Sequence, residues 1–170
     1  MNGIFNVFVT IFVLLALTVS AQERLNDDFN LEETVESCSS CHGEEGVPID
    51  EEFPIIYGQQ YFYVYTQLKD FAAGRRSGDI MTDIANEFTR AQMKKIAQYM
   101  SEQPWPDVDS GTGTQEGDAL LVERGVTGGQ CSACHGKWQG DSRIPRLAGQ
   151  QIGYLSRTMH DFKAGVRMNA

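Results

Sequence analysis

The sequence predicts an all-α protein built from two tandem copies of one module. Three observations predict it. The block Cys38-Ser39-Ser40-Cys41-His42-Gly43 recurs as Cys131-Ser132-Ala133-Cys134-His135-Gly136. Downstream, Pro54, Gly58, Gln59, Gln60, Tyr63, Asp70, Phe71, Ala73, Gly74 and Arg76 recur, 91 positions later, as Pro145, Gly149, Gln150, Gln151, Tyr154, Asp161, Phe162, Ala164, Gly165 and Arg167. Between these marks the apolar residues follow helical spacing, and no stretch alternates convincingly as a strand would.

Each module reads as short helices joined by long loops. Asn30 and Glu33 make a capping-box-like start for a helix that runs into the first cysteine pair. Residues 116–124 supply the matching helix in the second copy. Residues 58–73 carry Tyr61, Val64, Tyr65, Leu68 and Phe71 at helical spacing, and Gly74 offers a C-terminal stop. Thr89 can cap a helix whose Met93, Ile96, Ala97 and Met100 share one face, with Pro104 just beyond. Residues 103–115, QPWPDVDSGTGTQ, are turn-rich and aperiodic, so they read as the connection between copies.

The first 21 residues hold no charged side chain, residues 4–19 are almost wholly apolar, and Val19-Ser20-Ala21 ends the run with small residues. That pattern predicts a secretory signal peptide over residues 1–21. An uncleaved membrane anchor is the competing reading, although the run falls short of the about 20 residues a spanning helix needs. The predicted organisation is therefore a signal peptide over 1–21, a first domain over 22–103, a linker over 104–115 and an incomplete second domain over 116–170.

Charge is unevenly placed. Residues 22–103 hold 16 acidic and 7 basic side chains, whereas residues 104–170 hold 7 of each. Solubility alone would account for this, but an acidic first half also suits a basic protein partner. Such a chain is a poor binder of nucleic acid.

Four cysteines in an exported chain invite a disulfide reading, but the residue after each pair argues otherwise. Cys-x-x-Cys-His is the attachment signature of c-type haem. Thiols three positions apart can each form a thioether with one vinyl group of the ring, and the next residue, His, then faces the iron. A zinc site would need its two pairs about 15–20 residues apart; here 89 residues separate Cys41 from Cys131. A redox pair would not require His at the next position twice. The sequence thus predicts two covalent haem c groups, on Cys38, Cys41 and His42 and on Cys131, Cys134 and His135, with both histidines as iron ligands. Pro54 and Pro145 are candidates to accept the second ring N–H of each histidine; their alternative role is only to shape the loop.

Met on the far side of a haem raises its potential and closes the iron. Met81 lies between Gly78-Asp79 and Thr82-Asp83 and reads as a loop residue suited to that role, making His42, Met81 and His135 the predicted iron ligands. Met93 and Met100 sit on a helical apolar face and read as core. The second copy breaks the pattern. The counterpart of Met81 would fall at position 172, beyond Ala170, and the counterpart of the helix over 89–102 is missing as well. A truncated chain is the simplest expectation; Met168 bending round to the iron, or an open second iron, are the alternatives. Met159 reads as core and His160 as a surface side chain.

With both motifs placed, the chain resembles the two-haem cytochrome c4 family over about residues 30–170. Arg146-Leu147-Ala148-Gly149-Gln150 is close to that family's wording, as are Phe53-Pro54 and Gln67-Leu68-Lys69-Asp70-Phe71 with Gly74-Arg75; Ile55-Ile56-Tyr57 departs from it. The resemblance implies two class-I cytochrome c domains about a pseudo-two-fold axis, the second here lacking its C-terminal helix. It implies haem propionates meeting near the junction and His/Met ligation at both irons. It also implies a periplasmic or membrane-associated carrier that serves redox proteins such as a terminal oxidase, a quinol-oxidising complex or a dehydrogenase. One alternative is the cytochrome subunit of a flavocytochrome-type sulfide dehydrogenase. A two-haem peroxidase is a third, although such enzymes are generally much longer.

Overall fold

Six helices organise the described part of the chain, and each forms where local chemistry favours it. The computed structural model describes residues 29–108, 128–136 and 138–169. The expected signal peptide, the helix expected over 116–124 and residues 109–115 of the expected linker lie outside these residues. Residues from Leu31 onward form one compact unit.

Helix α1 spans Leu31–His42, with Glu32 and Glu33 in its first turn and His42 in its last, the charge order a helix dipole favours. Helix α2 spans Tyr61–Ala72 and buries Val64, Leu68 and Phe71. Gly74, at φ +66°, ends it in the left-handed region. The Asp70 carbonyl then accepts the N–H groups of Arg75 and Arg76 at 2.8 and 3.1 Å.

Helix α3 spans Asp79–Asn86, where the sequence reading places Met81 on a loop. That expectation is corrected: Met81 lies in the first turn of α3 and is half-buried. Only eight residues separate Gly78 from Glu87, too short a stretch for an apolar period to declare itself.

Helix α4 spans Arg90–Glu102 and buries Met93, Ile96, Ala97 and Met100, as expected. Its start is a reciprocal capping box: the Thr89 hydroxyl accepts the Gln92 N–H at 3.3 Å, and Gln92 Oε1 accepts the Thr89 N–H at 2.7 Å. Thr89→Ala is expected to cost about 1 kcal/mol, which lowers the midpoint of thermal unfolding by about 2–4 °C in a chain of this size. An unchanged midpoint would show that the cap contributes nothing.

Helix α5 is the short Cys131–His135, and helix α6 spans Ile152–Ala164. The end of α6 repeats the end of α2. Gly165 adopts φ +72°, and the Asp161 carbonyl accepts from Val166 and Arg167 at 2.9 and 3.1 Å. No strand occurs among the described residues; an isolated bridge joins Arg76 to its repeat counterpart Arg167.

In the first repeat α2 packs on α3 and α4, and α1 touches α4. The core sits there: of the buried apolar side chains among the described residues, only Tyr154 belongs to the second repeat. Met159, expected in the core, is 63% exposed. Its counterpart Leu68 is covered in a repeat where α3 and α4 pack on α2, and the described residues of the second repeat hold no helix corresponding to those two. His160 is exposed, as expected.

Candidate functional site

Each Cys-x-x-Cys-His block is helical and ends in a glycine. His42 closes α1 and His135 closes α5. Gly43 follows at φ +88° and Gly136 at φ +56°, both left-handed. At Gly43 a side chain is excluded: a Cβ would lie 2.2 Å from the Val47 carbonyl oxygen. The chain therefore turns sharply after His42 and brings the following loop back beneath the imidazole.

That turn fixes the ring. His42 Nδ1 lies 2.8 Å from the Pro54 carbonyl oxygen, and His135 Nδ1 lies 2.9 Å from that of Pro145. A carbonyl only accepts, so each Nδ1 carries the proton and each Nε2 keeps its lone pair for a metal. Burial holds the His42 imidazole below its usual pKa, against the Pro54 bond that raises it; this favours the neutral form, the one that can ligate iron. Phe53 meets the His42 ring edge-on at 6.3 Å. The two prolines thus do more than shape the loop.

None of the four cysteines is in a disulfide; Cys38, Cys41 and Cys131 are partly exposed and Cys134 is exposed. Burial raises the pKa of Cys38. On one helix, positions three apart lie on the same side, so each thiol pair stands beside the histidine that follows it. Two adjacent thiols and an adjacent imidazole with its Nε2 lone pair free are the donor set that covalent haem requires. Haem c, when bound, would supply a one-electron iron couple, and these thiols and imidazoles are the groups that would hold it.

The structure brings the two repeats together through residues identical in both. The Gln150 side chain spans Ile55: Oε1 accepts the Ile55 N–H at 2.7 Å, and Nε2 donates to the Ile55 carbonyl at 2.9 Å. Gln59 does the same for Arg146, at 2.8 and 3.0 Å. Gln60 Nε2 donates to the Gln139 carbonyl, and Gln151 Nε2 donates to that of Pro48. Arg76 Nη2 donates to the Tyr154 hydroxyl at 3.0 Å, and Arg167 Nη2 donates to the Tyr63 hydroxyl at 3.1 Å. Every one of these pairs maps onto its partner under the repeat.

Burial would raise the Tyr154 pKa, but the Arg76 and Arg167 guanidiniums beside it more than offset this and bring it to about 8. Tyr63 moves the other way, because burial and the neighbouring Tyr154 both resist a second phenolate. The identity of these glutamines, tyrosines and arginines in both copies was visible in the sequence; that they bond across the junction was not. Identical positions mark a shared module, and only the fold shows which of them face each other.

The chain is similar to known c-type cytochromes. Cytochrome c-552 of Acidithiobacillus ferridurans is 36% identical over 146 residues, covering 78% of this chain and 62% of that protein. Cytochrome c4 of Thiocapsa roseopersicina is 31% identical over 141 residues, covering 78% and 72%. The solved structure of Acidithiobacillus ferrooxidans cytochrome c4 superposes with a TM-score of 0.69 at 30% identity, covering 79% of this chain and 85% of that one. No family model matches the chain. The repeated haem-attachment blocks, the paired imidazole–proline bonds and these likenesses agree, and the chain belongs to the two-haem cytochrome c4 family of electron-transfer proteins with covalently bound haem c.

Proposed function

We propose that the chain is an exported, periplasmic electron carrier with one haem in each of two domains, divided near residues 104–115. In this reading Cys38 and Cys41, and Cys131 and Cys134, form the thioethers. His42 and His135 are the proximal iron ligands, and Met81 is the distal ligand of the first iron. The observation that carries the reading is the pair of imidazoles held through Nδ1 on Pro54 and Pro145, each directly after its thiol pair. The partners are redox proteins. Glu44, Glu45, Asp50 and Glu51 are exposed near the first attachment block, which favours a basic docking face and electron transfer that slows with added salt. Among the described residues no helix is long and apolar enough to cross a membrane.

The test is expression of the full chain with haem-attachment machinery, followed by mass spectrometry of the Cys38–Cys41 and Cys131–Cys134 peptides. Two haem adducts are expected, and none on either peptide would overturn the reading. Met81→Ala is expected to abolish the sulfur-to-iron absorption band of the first ferric haem and to lower its potential. An unaltered first haem would remove Met81 from the iron.

A second reading has the chain as the standing partner of a sulfur-compound dehydrogenase. A protein of Stutzerimonas stutzeri named thiosulfate dehydrogenase electron acceptor is 28% identical over 142 residues. The cytochrome subunit of sulfide dehydrogenase of Chlorobaculum tepidum matches only 63 residues. A stoichiometric dehydrogenase after gentle purification favours this reading; a chain that runs alone favours the free carrier.

A further inference from the structure

The two copies share the residues that bond across their junction, yet they differ on the faces beside it. Along the outer side of α2 and α6, Tyr61 corresponds to Ile152, Phe62 to Gly153, Tyr65 to Ser156 and Lys69 to His160. In the loops that approach these helices, Arg143 corresponds to Glu52. Beside α6 these positions make an open groove lined by Glu51, Glu52, Ile152, Arg157 and His160, in which Arg157 pairs with Glu52. Beside α2 they make a strip of aromatic rings with cations over it.

The strip is continuous. Tyr61 meets Phe62 edge-on at 4.9 Å and stacks on Tyr65 at 6.4 Å, with 12° between the planes. Phe62 is 47% exposed, and Tyr61 and Tyr65 are partly exposed. Lys69 Nζ lies 5.2 Å from the centroid of Tyr65, and Lys94 Nζ, from α4, lies 5.8 Å from it. At the other end the Arg143 guanidinium lies 5.8 Å from the centroid of Phe62. Two helices and a loop of the second repeat thus each contribute a cation. None of the three takes part in either ion pair among the described residues, Arg75–Asp70 and Arg157–Glu52. Asp70, next to Lys69, is buried and turned onto Arg75 and Asn169. Asp141, two residues before Arg143, is exposed and forms no ion pair with it.

A single exposed ring is ordinary, but three in contact beneath three cations make an interaction surface. Tyr, Phe and Arg are enriched at protein interfaces, where they supply large contact area. Cations held over ring faces present their charge already ordered, which lowers the entropy lost on binding. We propose that Tyr61, Phe62 and Tyr65, with Lys69, Lys94 and Arg143, dock an acidic protein that presents carboxylates around an apolar side chain. The apolar group covers Phe62, and the carboxylates meet the three cations. A lipid surface fits less well. Insertion requires apolar groups that reach about 5–10 Å into the bilayer, and these rings are partly buried with cations folded over them. An anionic bilayer would also oppose the net charge of −9 across its whole face, whereas a protein can confine its carboxylates to the contact. The strip is opposite in sign to Glu44, Glu45, Asp50 and Glu51 near the first attachment block. This adds a second partner to the carrier described above, without drawing on its haem ligands.

The experiment follows amide and aromatic NMR shifts of the full haem-loaded chain in its reduced form. The probes are a short peptide repeating Glu-Glu-Leu, the same peptide with Lys in place of Glu, and vesicles containing phosphatidylglycerol. The acidic peptide should shift the six residues saturably, more weakly as salt is added, and the basic peptide should leave them in place. Phe62→Ser, Lys94→Glu and Arg143→Glu should each weaken the acidic peptide several-fold, whereas Arg143→Lys should largely retain it. All three positions are exposed, so the thermal midpoint should stay constant. Shifts outside this face, equal shifts with both peptides, or an affinity unmoved by all three variants would overturn the proposal. So would vesicles that displace the peptide, which would make the strip a lipid surface, or shifts that grow with protein concentration alone, which would make its occupant a second copy. Peptide binding here by a chain that acquires no haem would overturn the carrier reading and leave the docking face standing.

Discussion

Gln150→Ala is expected to destabilise the chain by about 2–5 kcal/mol, because it strips both hydrogen bonds from the Ile55 backbone at once. The Ile55 N–H and C=O are held by Gln150 at 2.7 and 2.9 Å, and Ile55 is only 1% exposed. Water cannot readily replace an amide side chain there, so both groups would stay buried and unpaired, each at about 1–3 kcal/mol. The repeat supplies an internal comparison. Gln59→Ala removes the corresponding bonds to Arg146, but that backbone is only part-buried. Water can replace the lost amide, so the cost should be less than half as large. Denaturant unfolding of the two haem-loaded variants measures both. Equal losses would show that burial of the partner, rather than the bond itself, has been misjudged.

Met100→Ala should cost a similar amount, about 2–5 kcal/mol, through a cavity rather than a lost hydrogen bond. Met100 is fully buried. Its carbonyl also accepts the Gly58 N–H at 2.8 Å, which ties α4 to the loop before α2; this backbone bond survives the substitution. Met159→Ala, at a side chain 63% exposed, should change stability by less than about 0.5 kcal/mol. The contrast is measured by thermal unfolding of each variant with haem attached. A Met159 variant as damaged as the Met100 variant would mean that α6 is covered in solution.

Much of the fold was legible because its signals are local. Thr89 and Gln92 cap α4 through neighbours three residues apart, and Gly74 ends α2 by its own backbone freedom. The helical period of Met93, Ile96, Ala97 and Met100 needs no knowledge of a partner. The candidate haem blocks were legible for the same reason, since both thiols and the imidazole lie within five consecutive residues. Where the reading failed, a distant partner or too little chain was at fault. Met81 sits in a helix of eight residues, too few for its apolar period to show. Met159 has the same spacing as Leu68, yet its burial depends on what packs over it, and a helix cannot encode that in its own period.

By itself the sequence determined the helical class, the twofold repetition and the two Cys-x-x-Cys-His blocks. Each is written in residue types at short separations, where chain geometry leaves few alternatives. The tertiary structure alone decided that the paired glutamines, tyrosines and arginines bond across the junction between repeats. It alone placed Trp105, from an apparently featureless linker, beside Arg146. Those contacts join residues roughly 40 to 100 positions apart in the chain, and no local period or propensity can specify which distant groups will share a buried, low-dielectric space.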